Sequence, residues 1–259
     1  MIKFVNITEE EFLRTKILYK HLPLENALRT LKDKSLWFAN PATWLDPFEK
    51  RFLEAKYMRN DAEVKFRWVG KVFCTCMSQT ITSEAFWNTY SRGEIGIELR
   101  IYKEQLLEQL SRYDERYKIF IGKAEYLKTD DIKKADLRSI PFNPTIPTDM
   151  KLNSDEFAAR LFLLKRKAFA YEDEIRIIIV KDSATKEKGV GLRYDCENTD
   201  FVQRIVIDPS IGDYTYDMLK NLFINDYGFI PKDINGKVFN RVIRSQLYAQ
   251  QPQAVLKID

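Results

Sequence analysis

Alternating and periodic apolar positions predict a compact β–α–β unit near the start of the chain. Thr8, followed three residues later by Glu11, matches the capping box that opens a helix. Residues 17–22 (ILYKHL) are predicted to form a strand, and residues 24–34 place apolar side chains at the helical period. Residues 35–39 (SLWFA) then predict a second short strand, which completes the unit.

The rest of the chain mixes strands and helices without a regular repeat. The predicted strands are residues 71–77, 96–101, 117–127, 174–181, 202–207 and one near 238–247. Helices are predicted within residues 41–65, from a cap at Thr82 or Ser83 through Tyr90, and over 102–112, 154–167 and 213–227. Residues 128–153 contain three prolines and no periodicity, which indicates a loop or lid. Because strands and helices do not alternate strictly, we expect an α+β fold rather than a doubly wound sheet.

Composition narrows the classes of chemistry. Charged residues make up 31% of the chain, above the usual value of about 25%. The nine glycines are roughly half of what average usage would give, and no glycine-rich dinucleotide or phosphate loop occurs. The three cysteines, Cys74, Cys76 and Cys196, are too few for a disulfide framework or a four-ligand zinc site. We therefore expect no metal and interpret the cysteines as small buried side chains.

The chain carries no feature of a secreted or membrane protein. Its first residues have no apolar signal region, and its longest apolar run, residues 177–180, is far shorter than a membrane span. We therefore expect a cytoplasmic protein without a membrane partner. The net charge of +4 is mild, so it permits a nucleic-acid partner but does not require one.

An acidic cluster precedes the most apolar predicted strand. If the strand already begins in this segment, residues 171–176 (YEDEIR), Glu172 and Glu174 point to one face with Arg176 beside them. A solvated strand end in which Arg176 pairs with a carboxylate explains the same pattern. Against that interpretation, three neighbouring acids repel one another, and this cost beside a buried strand suggests a function.

Two further segments contain candidate residues. Trp87 and Tyr90 lie three residues apart on one face of a predicted helix, where aromatic core packing is the alternative explanation. Lys20, between Tyr19 and His21, is typical either of a solvated strand edge or of an anion site. His21 is a candidate general base or a structural histidine.

Taken in order, these segments resemble a bacterial family known as domain of unknown function 2971. The matching segments are Y-K-H, W-L-D-P-F-E, F-C-T-C-M-S, W-N-T-Y-S-R-G and K-A-F-A-Y-E-D-E-I-R, which together span roughly residues 17–210. The chain departs from the family pattern at three places. Leu45-Asp46 lacks the usual asparagine, Phe169 replaces a common tryptophan, and His21 occupies the usual tyrosine position.

The order of motifs is also similar to the three-part signature of ADP-ribosyltransferases. The resemblance implies a single domain over residues 1–259, with a core of about 15–248 and a polar C-terminal tail, built on a split, mainly antiparallel sheet with flanking helices. It implies NAD as co-substrate and no metal. The residues that it assigns to NAD binding are Lys20, Ser78, Trp87 and Tyr90, and those that it assigns to catalysis are Glu174 and Glu172.

The implied chemistry is consistent with these side chains. Cleavage of the nicotinamide–ribose bond passes through an oxocarbenium-like transition state, which a carboxylate such as Glu174 stabilises. Glu172, two residues earlier, is expected to take the proton of the acceptor. We expect Glu174→Gln to abolish activity and to leave folding intact. Tyr90 and Trp87 are expected to stack on nicotinamide, and Lys20 to pair with ribose or pyrophosphate oxygens.

The resemblance also implies partners. It indicates a toxin or phage-defence effector that modifies RNA, DNA or protein, with an antitoxin as a further partner. A weaker indication of a nucleic-acid acceptor comes from cations on the predicted 154–167 helix, which a helix C-terminus also favours. They are Arg160, Lys165, Arg166 and Lys167.

Two other classes of function remain open from the residues. The first is a metal-dependent nuclease in which carboxylates hold magnesium. Its ligands would be Asp46, Glu49, Glu172 and Glu174. The second is a non-catalytic binding module, whose acids only pair with Arg176. Sensitivity to EDTA separates the nuclease from the transferase.

Overall fold

A largely antiparallel sheet organises the part of the chain that the computed structural model describes, residues 1–54, 56–59, 61–81, 83–91, 93–134, 154–195 and 200–249. The strands are β1 (Ile2–Val5), β2 (Ile17–Pro23), β3 (Ser35–Ala39), β4 (Tyr57–Arg59), β5 (Ala62–Val64), β6 (Val72–Ser78), β7 (Gly96–Tyr102), β8 (Lys118–Lys123), β9 (Glu125–Leu127), β10 (Leu164–Arg166), β11 (Glu174–Val180), β12 (Gly189–Arg193), β13 (Val202–Ile207), β14 (Lys232–Ile234), β15 (Lys237–Phe239) and β16 (Val242–Arg244).

Helices flank this sheet, so the described chain forms a mixed α/β domain. They are α1 (Glu9–Leu13), α2 (Leu24–Lys32), α3 (Pro47–Glu54), α4 (Glu84–Ser91), α5 (Lys103–Ser111), α6 (Thr129–Lys134), α7 (Asp155–Leu161) and α8 (Asp213–Asn225), with short 3₁₀ helices at Pro41–Thr43 and Lys167–Glu172. None of the helices within the described ranges is both long enough and apolar enough to cross a membrane.

The sheet divides near its middle. Its strand order is β1-β8-β11-β6-β2-β7-β13-β16, with β3 joining both β6 and β12. The β1–β8 and β13–β16 pairs are parallel, and the other pairs of this sheet are antiparallel. Among the described residues, β2 and β6 pair at one position, Tyr19 with Ser78, whereas β2 and β7 pair along their whole length. The two halves of the sheet therefore separate beside β6.

Two hydrophobic clusters cover the sheet. The larger cluster lies on one face and includes residues from both halves, such as Phe73 and Ile177 on one side and Leu99 and Ile205 on the other. The smaller cluster packs the opposite face of the β8–β11–β6 half beneath α7, with Trp68 at its centre. Because the smaller cluster does not extend over β2, β7 and β13, this face of the second half is free to carry polar side chains.

Most of the predicted elements are confirmed. The Thr8–Glu11 capping box is present, and Ser35–Ala39 forms a strand with the predicted bounds. The structure adds β1, β4, β5, β12 and β14, which the sequence did not predict. It divides the predicted 117–127 strand into β8 and β9, and it places β15 and β16 where one strand near 238–247 was expected.

The predicted 154–167 helix is wrong in its second half. Ser154 accepts a hydrogen bond from the Phe157 amide as a helix cap, but α7 ends at Leu161. Residues 164–166 instead form β10, which pairs in parallel with β9. The predicted 128–153 loop is wrong at its start, where Thr129–Lys134 form α6, and the rest of it from residue 135 lies outside the described residues, as do Cys196 and the polar tail from residue 250.

Candidate active site

A small cavity lies where the two halves of the sheet separate. It leaves about 20 Å³ open to the centre of a water molecule. It is lined by Tyr19 and His21 of β2, Cys76, Met77 and Ser78 of β6, Phe86 and Tyr90 of α4, and Glu172 and Glu174. The cavity therefore brings together the first strand, the middle segment and the acidic segment that the sequence analysis singled out separately.

Glu172 and Glu174 converge on one lysine by a different route from the predicted strand. Glu172 ends a 3₁₀ helix, Asp173 adopts a left-handed conformation with φ of 39°, and Glu174 begins β11. The strand thus begins at Glu174, as predicted, and does not include Glu172. Even so, Lys165 donates to Oε2 of Glu172 and, at 2.7 Å, to Oε2 of Glu174. The turn at Asp173 brings the two carboxylates together.

Arg176 and Lys165 balance the acidic cluster. Arg176 is fully buried and donates from Nε to Glu174 Oε1 at 2.9 Å and from Nη1 to the Phe162 carbonyl at 2.6 Å, while Nη2 contacts Glu49. The acid between the two glutamates, Asp173, pairs with Lys123 at 2.7 Å. The repulsion expected among three adjacent acids is thus offset by specific cations.

The two glutamates differ in their affinity for a proton. Burial opposes ionisation of Glu174, but the charges of Arg176 and Lys165 outweigh it and hold the pKa of that carboxyl well below its usual range. Burial raises the pKa of Glu172, and the lowering effect of Lys165 does not fully offset it. The site therefore contains one firmly ionised carboxylate and one that takes up a proton more readily.

Tyr90 connects α4 with this acidic segment. Its hydroxyl donates to Glu172 Oε2 at 2.8 Å. Burial and the neighbouring carboxylates raise the pKa of Tyr90 well above its usual value, so the phenol stays a donor at neutral pH. Gly96 permits this close approach of α4, because a Cβ there would lie 2.7 Å from the Trp87 ring.

Trp87 is placed behind the cavity and not in its wall. Its side chain is 5% exposed and meets the His21 ring edge-on at a centroid distance of 5.8 Å. The neighbouring Phe86 lines the cavity instead and stacks on His21 at 4.5 Å. Stacking of Trp87 on a bound nicotinamide is therefore not supported, and the ring of α4 that lines the cavity next to Tyr90 is that of Phe86.

His21 lies in the cavity wall next to a buried acid. Its Nε2 is 3.2 Å from Oε2 of Glu98, which is fully buried on the neighbouring strand β7. Together with its stacking on Phe86, this contact fixes the ring on the β2 side of the cavity. The arrangement suits a structural histidine that supports α4.

Lys20 does not reach the cavity. Tyr19 and His21 line it, and because successive side chains of a strand alternate, Lys20 points to the opposite face. There it is 8% exposed, and its Nζ donates to Thr75 Oγ1 at 2.9 Å and to the Cys76 carbonyl at 3.2 Å. The expected contact of Lys20 with NAD is therefore corrected, as is its interpretation as a solvated edge residue.

Ser78 occupies the point at which the sheet halves join. It pairs with Tyr19 of β2 and with Glu174 of β11, and its hydroxyl lies 3.1 Å from that of Thr80. It is buried and lines the cavity beside Glu174, and its expected role in NAD binding stays a prediction.

The carboxylates considered as magnesium ligands are engaged by cations. Asp46 accepts from Arg166 Nε at 3.0 Å, Glu49 contacts Arg176, and the two glutamates share Lys165. Within the described ranges, no three histidine, cysteine, aspartate or glutamate residues are grouped so as to hold a metal ion. A magnesium site here would require these ion pairs to separate.

The four cations of the predicted 154–167 helix lie on different elements in the structure. Arg160 pairs with Glu156 on α7, Arg166 contacts Asp46, and Lys165 is buried against the glutamates. Arg160 therefore lies in the last turn of α7, whereas Lys165 and Arg166 lie on β10 and are engaged by carboxylates. The role of Lys165 within the acidic cluster was missed in the sequence, where it counted as one surface cation among several.

The similarity of this chain to known structures is distant. No family model and no curated protein matches the chain. Two solved structures of DarT from Thermus sp. 2.9 align with it. The complex with NAD⁺ has a TM-score of 0.34 at 9% identity, covering 90% of this chain and 96% of that one. The complex with ADP-ribosylated ssDNA has a TM-score of 0.37 at 8% identity, covering 89% and 94%. A likeness at this level assigns neither fold nor function to this chain.

Proposed function

We propose that this protein is an NAD-dependent mono-ADP-ribosyltransferase that acts in the cavity between the sheet halves. The observation that carries the proposal is the convergence of Glu172, Glu174 and the Tyr90 hydroxyl on one wall of that cavity. Two carboxylates of different proton affinity at one site are typical of enzymes that cleave glycosidic bonds.

Each glutamate has a separate role in the proposed reaction. When the bond between nicotinamide and ribose breaks, its electron pair leaves with the nicotinamide nitrogen, and positive charge develops on the ribose. Glu174, which stays ionised, stabilises that charge. The acceptor then bonds to the ribose carbon and loses a proton, which Glu172 takes up, because its raised pKa makes it the better base of the two.

The cavity is narrow without a ligand. It leaves about 20 Å³ open to the centre of a water molecule, roughly the room for one water, so its walls must move apart to admit one end of the co-substrate. We infer that it takes the nicotinamide–ribose end of NAD, with the rings of Phe86 and Tyr90 beside the nicotinamide. The rest of the dinucleotide then lies outside the cavity.

In this proposal, a ribose hydroxyl of NAD replaces the Cys76 thiol as a hydrogen-bond donor to Glu174. The thiol lies in the cavity wall and hydrogen-bonds to Glu174, and burial raises its pKa well above the usual value. A protonated thiol is a weak donor, so a ribose hydroxyl that replaced it would form a stronger hydrogen bond with the carboxylate.

The acceptor is proposed as nucleic acid or protein, as the sequence analysis expected. The toxin or phage-defence role and the antitoxin partner stay predictions from the family resemblance. The nuclease alternative is less consistent with the geometry, because each of its four carboxylates already contacts an arginine or lysine.

Incubation with NAD labelled in the adenosine portion and a cell lysate tests the proposal. We expect label to become attached to a macromolecule in the presence of EDTA, and digestion with protease or nuclease then identifies the acceptor class. Release of nicotinamide is measured in parallel. An EDTA-sensitive cleavage of nucleic acid without any use of NAD would instead establish the nuclease.

A further inference from the structure

An open sheet face continues from the cavity on the side away from α4. The face of β2 that carries Tyr19 and His21 is covered by α4 at the His21 end, through Phe86. Tyr19 pairs across the sheet with Arg100 of β7, and the Arg100 guanidinium lies 5.6 Å from the Tyr19 ring. Since Tyr19 also lines the cavity, Arg100 lies next to its edge.

A second arginine faces the first across the next strand pair. Arg204 of β13 is the register partner of Arg100, and both side chains are half-buried. Arg100 donates to Glu98 Oε1 at 2.8 Å, but no carboxylate among the described residues pairs with Arg204. The Arg204 guanidinium lies 4.0 Å from the Phe239 ring, and its buried Nε has no hydrogen-bond partner in the described part of the chain.

This pair is unfavourable without a ligand. Like charges directly opposite each other on neighbouring strands destabilise a sheet. Burial, and then the charge of Arg100, lower the pKa of Arg204, which is the direction expected for a cation that lacks a counter-ion. An anion bound between the two guanidinium groups would remove the repulsion.

We propose that Arg100 and Arg204 form a phosphate site that holds the diphosphate of the dinucleotide whose nicotinamide–ribose end enters the cavity. This inference rests on the proposed function and adds the residues that anchor the co-substrate. Lys20, the cation expected to bind the diphosphate, lies on the other face of β2. Neighbouring strands are about 4.8 Å apart, so Arg204 lies within roughly 10 Å of the strand that carries Tyr19.

The planar fork of arginine suits this ligand. Guanidinium groups bind phosphate oxygens through two parallel hydrogen bonds, and a diphosphate offers oxygens to two arginines at once. Tyr19 lies between the cavity and Arg100, so a bound dinucleotide would cross its ring as it leaves the cavity. The cavity then selects the nicotinamide end, and the arginine pair fixes the remainder.

Calorimetric titration of the whole protein with three probes tests the site. The probes are ADP-ribose, inorganic pyrophosphate and nicotinamide. Arg204→Met removes the charge and keeps an apolar stem on Phe239, and Arg204→Lys restores the charge alone. Arg193→Gln, an exposed residue of β12, is the matched control. We expect Arg204→Met to weaken ADP-ribose and pyrophosphate binding by about tenfold or more, since hydrogen bonds to charged groups are strong, with nicotinamide binding unchanged.

Further outcomes bear on the inference in one direction or the other. Partial recovery in Arg204→Lys, and a melting temperature of Arg204→Met no lower than that of the wild type, support it, because a structural arginine would stabilise the fold. Unchanged ADP-ribose affinity in Arg204→Met, or a wild type that binds neither phosphate probe, overturns it. A single-stranded oligonucleotide is titrated as a further ligand, and loss of its binding in Arg204→Met with ADP-ribose binding unchanged also overturns the inference, since the arginines would then serve the acceptor. A wild type that binds ADP-ribose through Arg204 but does not cleave NAD supports this site and contradicts the transferase.

Discussion

Glu172 and Glu174 share one lysine but differ in how many other charges surround them. Glu174 contacts Lys165 and Arg176 at once, whereas Glu172 contacts Lys165 and the neutral hydroxyl of Tyr90. The second cation keeps Glu174 ionised in spite of its burial. At the residue scale, the chemistry of the site therefore depends on where Arg176 is placed.

Glu172→Gln is expected to separate transfer from folding. The substitution removes the proposed base and keeps the volume of the side chain, while Lys165 retains Glu174 as its partner. We expect transfer of ADP-ribose to the acceptor to fall by about 10²–10⁴-fold, as is usual when a general base is removed. Slow hydrolysis of NAD should persist. The measurements are label transfer and nicotinamide release, with the exposed Glu187→Gln as the control. Undiminished transfer would contradict the assignment.

Glu174→Gln is expected to destabilise the fold as well as abolish activity. The structure thereby corrects the expectation that folding stays intact, because the substitution leaves Lys165 and Arg176 buried without their shared anion. Breaking a buried ion pair in this way costs about 3–5 kcal/mol. In chemical denaturation at neutral pH, Glu174→Gln should therefore lower the free energy of unfolding more than Glu172→Gln does.

The same substitution has a defined pH dependence. The folded pKa of Glu174 lies below its unfolded value of 4.5, so the ionised carboxylate stabilises the fold fully above about pH 4.5. This contribution is lost as the pH falls toward the folded pKa. The stability difference between wild type and Glu174→Gln should therefore shrink below about pH 4.5. A difference that stays constant down to pH 3 would show that the carboxylate is not stabilised by its cations.

The residue pattern could predict some of the side chains that meet at the cavity, but not how they contact one another. Alternation along β2 implies that Lys20 and its neighbours point to opposite faces, yet nothing in the sequence indicates which face carries the cavity. Nor does the spacing of Lys165 from the two glutamates suggest an ion pair, because the pairing depends on a left-handed Asp173 and on β10. Part of the site, Ser78, Tyr90 and the two glutamates, was thus predictable, whereas its remaining members and its internal contacts were not.

Local signals predicted the elements well where they agreed with tertiary pairing. The caps at Thr8 and Ser154 and the apolar run of β11 are all confirmed. The 154–167 helix was extended too far because the run Leu161–Leu164 fits a helix as well as a strand. Pairing of β10 with β9 decides between them. The strand β12 contains Gly189 and Gly191, which weaken any strand signal, and it forms through its pairing with β3.

A buried lysine ties the start of α5 to the site. Lys103 is fully buried, and its Nζ donates to the Phe12 carbonyl at 2.5 Å, to Thr15 Oγ1 at 2.8 Å and to Gln79 Oε1 at 2.9 Å. The backbone N–H of Gln79 in turn donates to the carbonyl of Asp173. The Lys103 ammonium group therefore connects α1 and the residue after β6 to the turn at Asp173 between the two glutamates.

Lys103→Met is expected to lower the melting temperature, because three buried acceptors lose their donor. Burial lowers the pKa of Lys103 from 10.5 to about 8. Between about pH 8 and about pH 10.5 the unfolded state binds a proton that the folded state lacks, so the contribution of Lys103 to stability rises with pH in this window. The gap between wild type and Lys103→Met should widen from pH 8 to pH 10 in thermal unfolding. A gap that narrows would show that Lys103 is charged in the fold at high pH.

At the scale of the whole molecule, a divided sheet is held together by an undivided core. The β2 and β6 strands pair at Tyr19 and Ser78, and the cavity lies where the two strands separate beside this pair. On the opposite face, the larger cluster continues from Phe73 beneath β6 to Leu99 beneath β7. The sequence could predict an α+β chain with apolar strands, but the position of the division depends on register, which no local pattern specifies.

The continuous core predicts that residues 1–259 unfold as one domain. Phe223 of α8 is fully buried against the second half of the sheet, so Phe223→Ala should cost about 3–5 kcal/mol. Because the larger cluster joins both halves, we expect a single transition at lower temperature. Circular dichroism and tryptophan fluorescence, to which Trp68 of the first half contributes, should change together. Tyr214→Ala, at an exposed position of the same helix, is the control and should leave the transition unchanged. Two separate transitions in Phe223→Ala, with Trp68 protected after the helix has melted, would show that the halves fold independently and that the cavity lies between two domains.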